Sequence, residues 1–203
     1  CSLKVGSELF TLFGANLVRQ LIAKGFHVFL DLKFHDIPNT VAKACKAAAD
    51  LGVWMMNVHA SGGFNMMHAA ASALEPYGTD RPLLLAVTVL TSLDEDELPS
   101  VGIQLRLIEQ VQKLALLAKA AGLDGVVSSA HEVNPIKDVC GKQFIALTPG
   151  IRLISSQHHD QNRIMTPRQA LLQGSDYLVI GRPITQAIDP TAVLLDIYKQ
   201  IEE

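Results

Sequence analysis

The sequence predicts an α/β fold of the (β/α)8 barrel type, and three observations carry that prediction. Short apolar runs alternate with longer helical patterns along the whole chain, the runs are rich in Val, Ile, Leu and Phe, and polar residues gather where the runs end. Alternation of this kind argues for βαβ units and a parallel sheet. A doubly wound sheet could also hold such strands, but charged strand ends favour the barrel, whose chemistry sits at the C-terminal ends of its strands. A barrel needs eight strands, with ~250 residues typical. Seven runs are visible here in 203 residues. The chain opens at Cys1 and enters a strand-like run at once, so the first strand of the barrel is expected upstream. No composition break or linker marks a second domain, and residues 1–203 are read as a single one.

The elements follow in order. A strand at 2–5 gives way at Gly6 to a helix over 7–24, and a strand at 27–33 leads through a polar turn to a helix over 40–51. That helix contains Val41-Ala42-Lys43-Ala44-Cys45-Lys46-Ala47-Ala48-Ala49, where Cys45 reads as a small buried or half-buried residue. The strand at 54–59 runs into Ala60-Ser61-Gly62-Gly63 and a helix over 63–75. Strands at 83–89, 124–128, 143–148 and 176–181 come next, with helices at 104–121, 131–139, 166–173 and 190–202.

Composition excludes several classes. With 49% hydrophobic and 18% charged residues the chain can bury one sizeable core. A net charge of −3 is not the clustered basic excess of a nucleic-acid surface, so no nucleic-acid partner is expected. No apolar run approaches the ~20 residues that span a bilayer, and no signal-peptide pattern is present, so a cytoplasmic protein without a membrane partner is expected. Cys1, Cys45 and Cys140 are odd in number and far apart, which argues against a disulfide framework.

The most informative stretch is Val28-Phe29-Leu30-Asp31-Leu32-Lys33-Phe34-His35-Asp36-Ile37-Pro38-Asn39-Thr40. Side chains alternate along a strand, so Phe29, Asp31 and Lys33 share one face while Val28, Leu30 and Leu32 share the other. The inner face then carries an acid and a base about 6–7 Å apart at Cα. Ionised groups on a buried face are costly unless paired, so stability alone does not favour them there. Lys4 is a second charged strand end. If the first two visible strands are neighbours, Lys4, Asp31, Lys33 and Asp36 make an alternating array that holds each lysine charged and ready to donate a proton. Two plainer readings stay open: a solvated ion pair at the rim, and Asp36 as the N-cap of the helix whose first turn holds Pro38.

In barrel enzymes a phosphate often binds between the loops after the last two strands. Here Thr148-Pro149-Gly150-Ile151-Arg152 leads into a long polar loop, Leu153 to Arg163, that contains Gln161, and loops of that length are often lids. The last strand ends Val179-Ile180-Gly181-Arg182-Pro183. Gly181 lets the backbone approach an anion and Arg182 offers a fork of donors. Thr91 offers a hydroxyl to a heterocycle, or caps a turn. His59 is read as a structural histidine, with substrate contact as the alternative. His158-His159 lacks further ligands at metal spacing, and Asp94-Glu95-Asp96-Glu97 reads as a solvated acidic turn. No nucleotide-binding glycine loop, P-loop or nucleophile elbow is present.

Asp31-x-Lys33-x-x-Asp36 followed by Ile37-Pro38-Asn39-Thr40 resembles the signature of the orotidine 5′-phosphate decarboxylases. The similarity extends through Leu3-Lys4-Val5-Gly6, the turn from Asn57 to Gly63, Thr148 to Arg152, and Gly181-Arg182-Pro183. Phe34-His35-Asp36-Ile37-Pro38 looks like the free-standing bacterial type. The resemblance implies conversion of orotidine 5′-phosphate to UMP, the last step of de novo pyrimidine nucleotide synthesis, with no cofactor and no metal. It implies that Lys33 protonates C6 after carbon dioxide leaves, that Asp31 faces the substrate carboxylate, and that Lys4 holds the ribose and the charge array. Asp36, Ile37 and Thr40 would reach the partner's active site in a homodimer, and Thr91 would contact the pyrimidine. Arg152, Gln161, Gly181 and Arg182 would hold the phosphate, with the 153–163 loop closing over it. The family carries a further ribose-binding aspartate on its first barrel strand, the strand expected upstream of Cys1.

Two alternatives share part of this pattern. Magnesium-dependent sugar-phosphate lyases of the same barrel group act on 3-keto-gulonate 6-phosphate or hexulose 6-phosphate and resemble this chain at Asp-x-Lys-x-x-Asp. They place an acid where Lys4 stands, and a lysine there repels the metal. A non-catalytic barrel that binds a phosphate ligand would not need Lys4, Asp31, Lys33 and Asp36 together.

Overall fold

The structure, a computed structural model, describes residues 1–152 and 165–202. Seven strands stand in the sheet in their chain order: β1 (Leu3–Gly6), β2 (Val28–Phe34), β3 (Met55–His59), β4 (Leu83–Val87), β5 (Gly125–Val127), β6 (Ile145–Thr148) and β7 (Tyr177–Leu178). A doubly wound sheet reverses its strand order at a switch point. This order has no reversal, and the architecture is α/β with a parallel sheet of repeated strand–helix units. The helices are α1 (Ser7–Ala23), α2 (Pro38–Asp50), α3 (Gly63–Leu74), α4 (Leu107–Ala120), α5 (Val133–Cys140), α6 (Pro167–Leu172), α7 (Arg182–Thr185) and α8 (Pro190–Glu202). Among the described residues no helix is long and apolar enough to cross a membrane.

Three elements differ from expectation. The helix at 7–24 is broken at Gly14, whose backbone (φ 60°, ψ −158°) lies outside the helical region and is open only to glycine at little cost. The strand expected at 176–181 stops at Leu178, because the chain turns into the short helix α7, in which Ile184 and Thr185 donate their N–H groups to the Gly181 carbonyl. That helix, which begins with Arg182, was not expected.

The chain divides into two compact units, Cys1–Thr88 with Gln112–Val126, and Val89–Val111 with Val127–Glu203. In the first unit β1 lies in parallel register with β2, so that Lys4 pairs with Phe29 and Gly6 with Asp31. Strands β3 and β4 pair from Met55–Leu83 to His59–Val87. The core takes Val5, Leu30, Met55, Met56, Val58, Leu84 and Leu85 from the strands. Helix α2 adds Val41, Cys45, Ala48 and Ala49, a stripe at i, i+4, i+7 and i+8 that faces the core. Burial pushes the Cys45 thiol up to about 12, so this sulfur behaves as a small apolar group. At the start of β4, Arg81 grips both oxygens of Asp124 (2.8 and 2.6 Å), and Asp124 Oδ2 also accepts the Leu84 N–H at 2.8 Å.

In the second unit β6 and β7 pair at Leu147–Tyr177 and Thr148–Leu178. Lys137 Nζ donates to the carbonyls of Lys142 (2.9 Å) and Phe144 (2.7 Å) and to Asp176 Oδ2 (2.6 Å). That same oxygen accepts the Ala146 N–H at 2.7 Å. Ties at the N-terminal ends of strands serve stability, leaving the opposite ends for chemistry. Thr166 opens α6 with a capping box that includes Gln169.

Candidate active site

The site is built on an irregularity in β2. The strand pairs Phe29 with Met55 and Leu30 with Met56, but the next pair is Phe34 with Val58. Asp31, Leu32 and Lys33 therefore stand opposite Asn57 alone. The surplus is absorbed at Lys33, which takes φ +52° and is the non-glycine residue in the left-handed region among the described residues. That region costs an L-residue roughly 1–2 kcal/mol, and such strain is typically held at functional sites. The buried Asn57 offsets it, its Oδ1 accepting the Lys33 N–H at 2.8 Å. The strict alternation expected over 28–33 thus ends at Asp31.

Asp31 is the hub of the charges. Its Oδ1 accepts from Lys33 Nζ at 2.7 Å and from Asn57 Nδ2 at 2.7 Å, and its Oδ2 pairs with Lys4 Nζ at 3.0 Å. The register explains the convergence. Gly6 is the strand neighbour of Asp31, and Lys4, two residues earlier, projects from the same face. A Cβ at position 6 would stand 3.1 Å from Lys4 Nζ, so a larger residue there would push the ammonium by a few tenths of an ångström. The carboxylate side chain is 13% exposed while the two lysines are 35% and 34% exposed, so the acid is enclosed and its cations face outward. Burial works to raise the Asp31 pKa. The hydrogen bonds from Lys33 and Asn57, with the charge and bond of Lys4, outweigh burial and hold the carboxyl below its ordinary value. The result is an ionised carboxylate that fixes two ammonium groups before any ligand arrives.

His59 ends β3 with its ring against that of His35, centroids 5.5 Å apart. Burial, then the charges of His35 and Lys33, lower its pKa against the opposing pull of Asp31, and favour the neutral imidazole.

The other expected residues divide into several groups. Asp36 does not join the array within its own chain. Its carboxylate accepts the Ile37 N–H at 2.6 Å, and Asp36, Ile37 and Thr40 are all exposed at the start of α2. Nor is Asp36 the N-cap: with Pro38 as the first helical residue that position falls to Ile37, which has no side-chain cap. Thr91 is exposed beyond β4 in the second unit. Arg152 and Gly181 follow adjacent strand ends, because Ile151 and Ile180 share one apolar cluster and the Val179 N–H bonds the Thr148 carbonyl at 2.9 Å. Gly181 and Arg182 are exposed, and a side chain at Gly181 would meet nothing within 4 Å. Gln161, His158, His159 and the loop 153–163 lie outside the described residues. Among the described residues, no three His, Cys, Asp or Glu side chains are grouped as a metal site would need.

Asn57 is a site residue that the sequence motifs do not single out. Its signal was there: an amide, disfavoured in strands, between Met55-Met56 and Val58. A polar side chain buried in such a strand has to find hydrogen-bond partners.

A lysine–aspartate–lysine hub on neighbouring strands of a parallel sheet in chain order defines the class: an α/β protein with an ionic site at its strand ends. Residues 1–197 match the Orotidine 5′-phosphate decarboxylase / HUMPS family, and the chain belongs to that family. The orotidine 5′-phosphate decarboxylase of Legionella pneumophila (strain Corby) is 63% identical over 201 residues, which cover 99% of this chain and 88% of that protein. The protein of the same name from Psychromonas ingrahamii is 64% identical over 197 residues, covering 97% of this chain and 84% of its own length. The crystal structure of orotidine 5′-phosphate decarboxylase from Lactobacillus acidophilus superposes with a TM-score of 0.87 at 42% identity, covering 98% of this chain and 86% of that one. The family read from the motifs is therefore the family of the chain.

Proposed function

We propose that the chain decarboxylates orotidine 5′-phosphate to UMP, and that its seven strands belong to one (β/α)8 barrel domain acting in the cytoplasm. The observation that carries the chemistry is the Asp31 hub, which holds Lys33 Nζ at 2.7 Å and Lys4 Nζ at 3.0 Å. Relatives of that name at 63% and 64% identity support the substrate.

The reaction breaks the bond from C6 of the pyrimidine to its carboxylate and leaves the electron pair on an sp² carbon without an electron sink. A fixed ammonium stabilises such charge better than water that must reorganise. Lys33 supplies it, then gives its proton to C6, and the neutral amine regains a proton from solvent. Asp31 faces the departing carboxylate, and Lys4 holds the ribose and balances the second carboxylate oxygen. Arg152, Gln161, Gly181 and Arg182 are assigned to the phosphate, whose binding energy helps to assemble the reacting groups. Thr91 is assigned to the pyrimidine. Asp36, Ile37 and Thr40, exposed at the start of α2, are assigned to the active site of the partner in a homodimer.

The alternative reading is a magnesium-dependent sugar-phosphate lyase of the same barrel group. Here both Asp31 oxygens are engaged by ammonium groups, so a divalent cation would have to displace one of them. The test is loss of orotidine 5′-phosphate absorbance with EDTA or with magnesium. Turnover that survives chelation supports the decarboxylase. A strict magnesium requirement supports the lyase instead, and binding without turnover would leave a phosphate-binding barrel.

A further inference from the structure

We propose that Asn57 is the positioning residue of this site, one buried amide that sets both the backbone of Lys33 and the carboxylate of Asp31. The inference rests on the decarboxylase reading. The orientation of the amide follows from chemistry. The Lys33 N–H can only donate, so Oδ1 faces it at 2.8 Å, and the ionised Asp31 can only accept, so Nδ2 faces its Oδ1 at 2.7 Å. An ionised aspartate at position 57 has no donor, leucine has neither group, and glutamine is a methylene longer.

The place of Asn57 in the sheet gives the amide its second task. Asp31, Leu32 and Lys33 stand opposite it without a regular ladder, and Lys33 sits at φ +52°. The Asn57 carbonyl supplies a backbone partner at the strained residue, while its amino group shares Asp31 Oδ1 with Lys33 Nζ. Lys33 is thereby held at both ends, at its N–H directly and at its ammonium through Asp31. Asn57 acts through these two residues, so its loss falls on the placement of the ammonium. It should affect kcat far more than KM.

The experiment compares Asn57→Ala and Asn57→Asp with the unchanged protein, measuring kcat, KM and their pH dependence on orotidine 5′-phosphate. Asn57→Ala is expected to lower kcat about a hundredfold, as a misplaced reacting group does, with KM within about threefold. Its acid limb should move to higher pH, because Asp31 loses a donor to its charged form. In Asn57→Asp the new carboxylate repels Asp31 at neutral pH. One shared proton restores donor and acceptor together, so activity relative to the unchanged protein should rise as pH falls. A kcat for Asn57→Ala within about threefold of the unchanged protein overturns the proposal, as does a loss with no pH response in either variant. If Asn57→Ala does not fold, the pH response of Asn57→Asp decides. Titration of the Asp31 carboxyl by carbon NMR separates the two claims. If the unchanged protein is inert toward orotidine 5′-phosphate the decarboxylase reading falls, while an Asp31 pKa unmoved by Asn57→Asp or Asn57→Ala still overturns the role of Asn57.

Discussion

Asp31→Asn preserves the shape of the hub and removes its charge. The wild-type carboxylate accepts three donors, at 2.7, 2.7 and 3.0 Å, two of them ammonium groups. The amide keeps one acceptor oxygen and turns an NH2 group toward the remaining donors, so at least one lysine meets a donor where it had an acceptor. Hydrogen bonds to charged groups contribute about 1.5–3 kcal/mol when enclosed, and exposed ion pairs about 0.2–1 kcal/mol. The lysines are 35% and 34% exposed, which places each bond near about 1 kcal/mol and the pair near about 2 kcal/mol. For a chain of this size that is a fall of about 4–8 °C in Tm. Loss of the fixed ammonium geometry should lower kcat by about a hundredfold or more. Calorimetry and steady-state kinetics on the same preparation read both effects. A variant that keeps its Tm and more than about a tenth of its turnover would refute the claim that Asp31 organises the site.

The remaining outcomes are independent of that one. His59 has its pKa lowered in the folded state, so the unfolded chain takes up the proton more readily. Stability should be full above the unfolded value and fall as pH drops through it, the loss ending at the folded pKa. Urea midpoints of the parent and His59→Gln at about pH 7.5 and about pH 5.5 check this, since the variant should lose less on acidification; equal losses would contradict it. Cys45 and Cys140 are buried while Cys1 is exposed, and the Cys45 thiol is pushed up to about 12. A thiol reagent at mildly alkaline pH should label Cys1 in the native protein and the other two only after unfolding. Rapid native labelling of Cys45 would contradict the packing of α2.

What was legible in the sequence follows a physical division. Helix α2 could be read because Val41, Cys45 and Ala48 repeat at helical spacing, and β2 because apolar residues precede an abrupt acid–base pair. The convergence of Lys4 on Asp31 needed only parallel neighbouring strands, a local property. Features that depend on tertiary partners were not legible. The bulge at Lys33 breaks a strand pattern that looks regular in sequence, and only the facing Asn57 shows why it is tolerated. Gly14 reads as one weak residue inside a helix until its positive φ is seen. Asp36 carries the right charge for the array, yet its position past the end of β2 places it in the exposed turn before α2.

The most direct test of the central claim, that Lys33 on its Asp31 anchor carries out the decarboxylation, is turnover of orotidine 5′-phosphate by the unchanged protein and by Lys33→Ala under identical conditions. The expected result is UMP formation by the first and none detectable by the folded variant. Substantial turnover by Lys33→Ala would contradict it, because the proton for C6 would then come from another group.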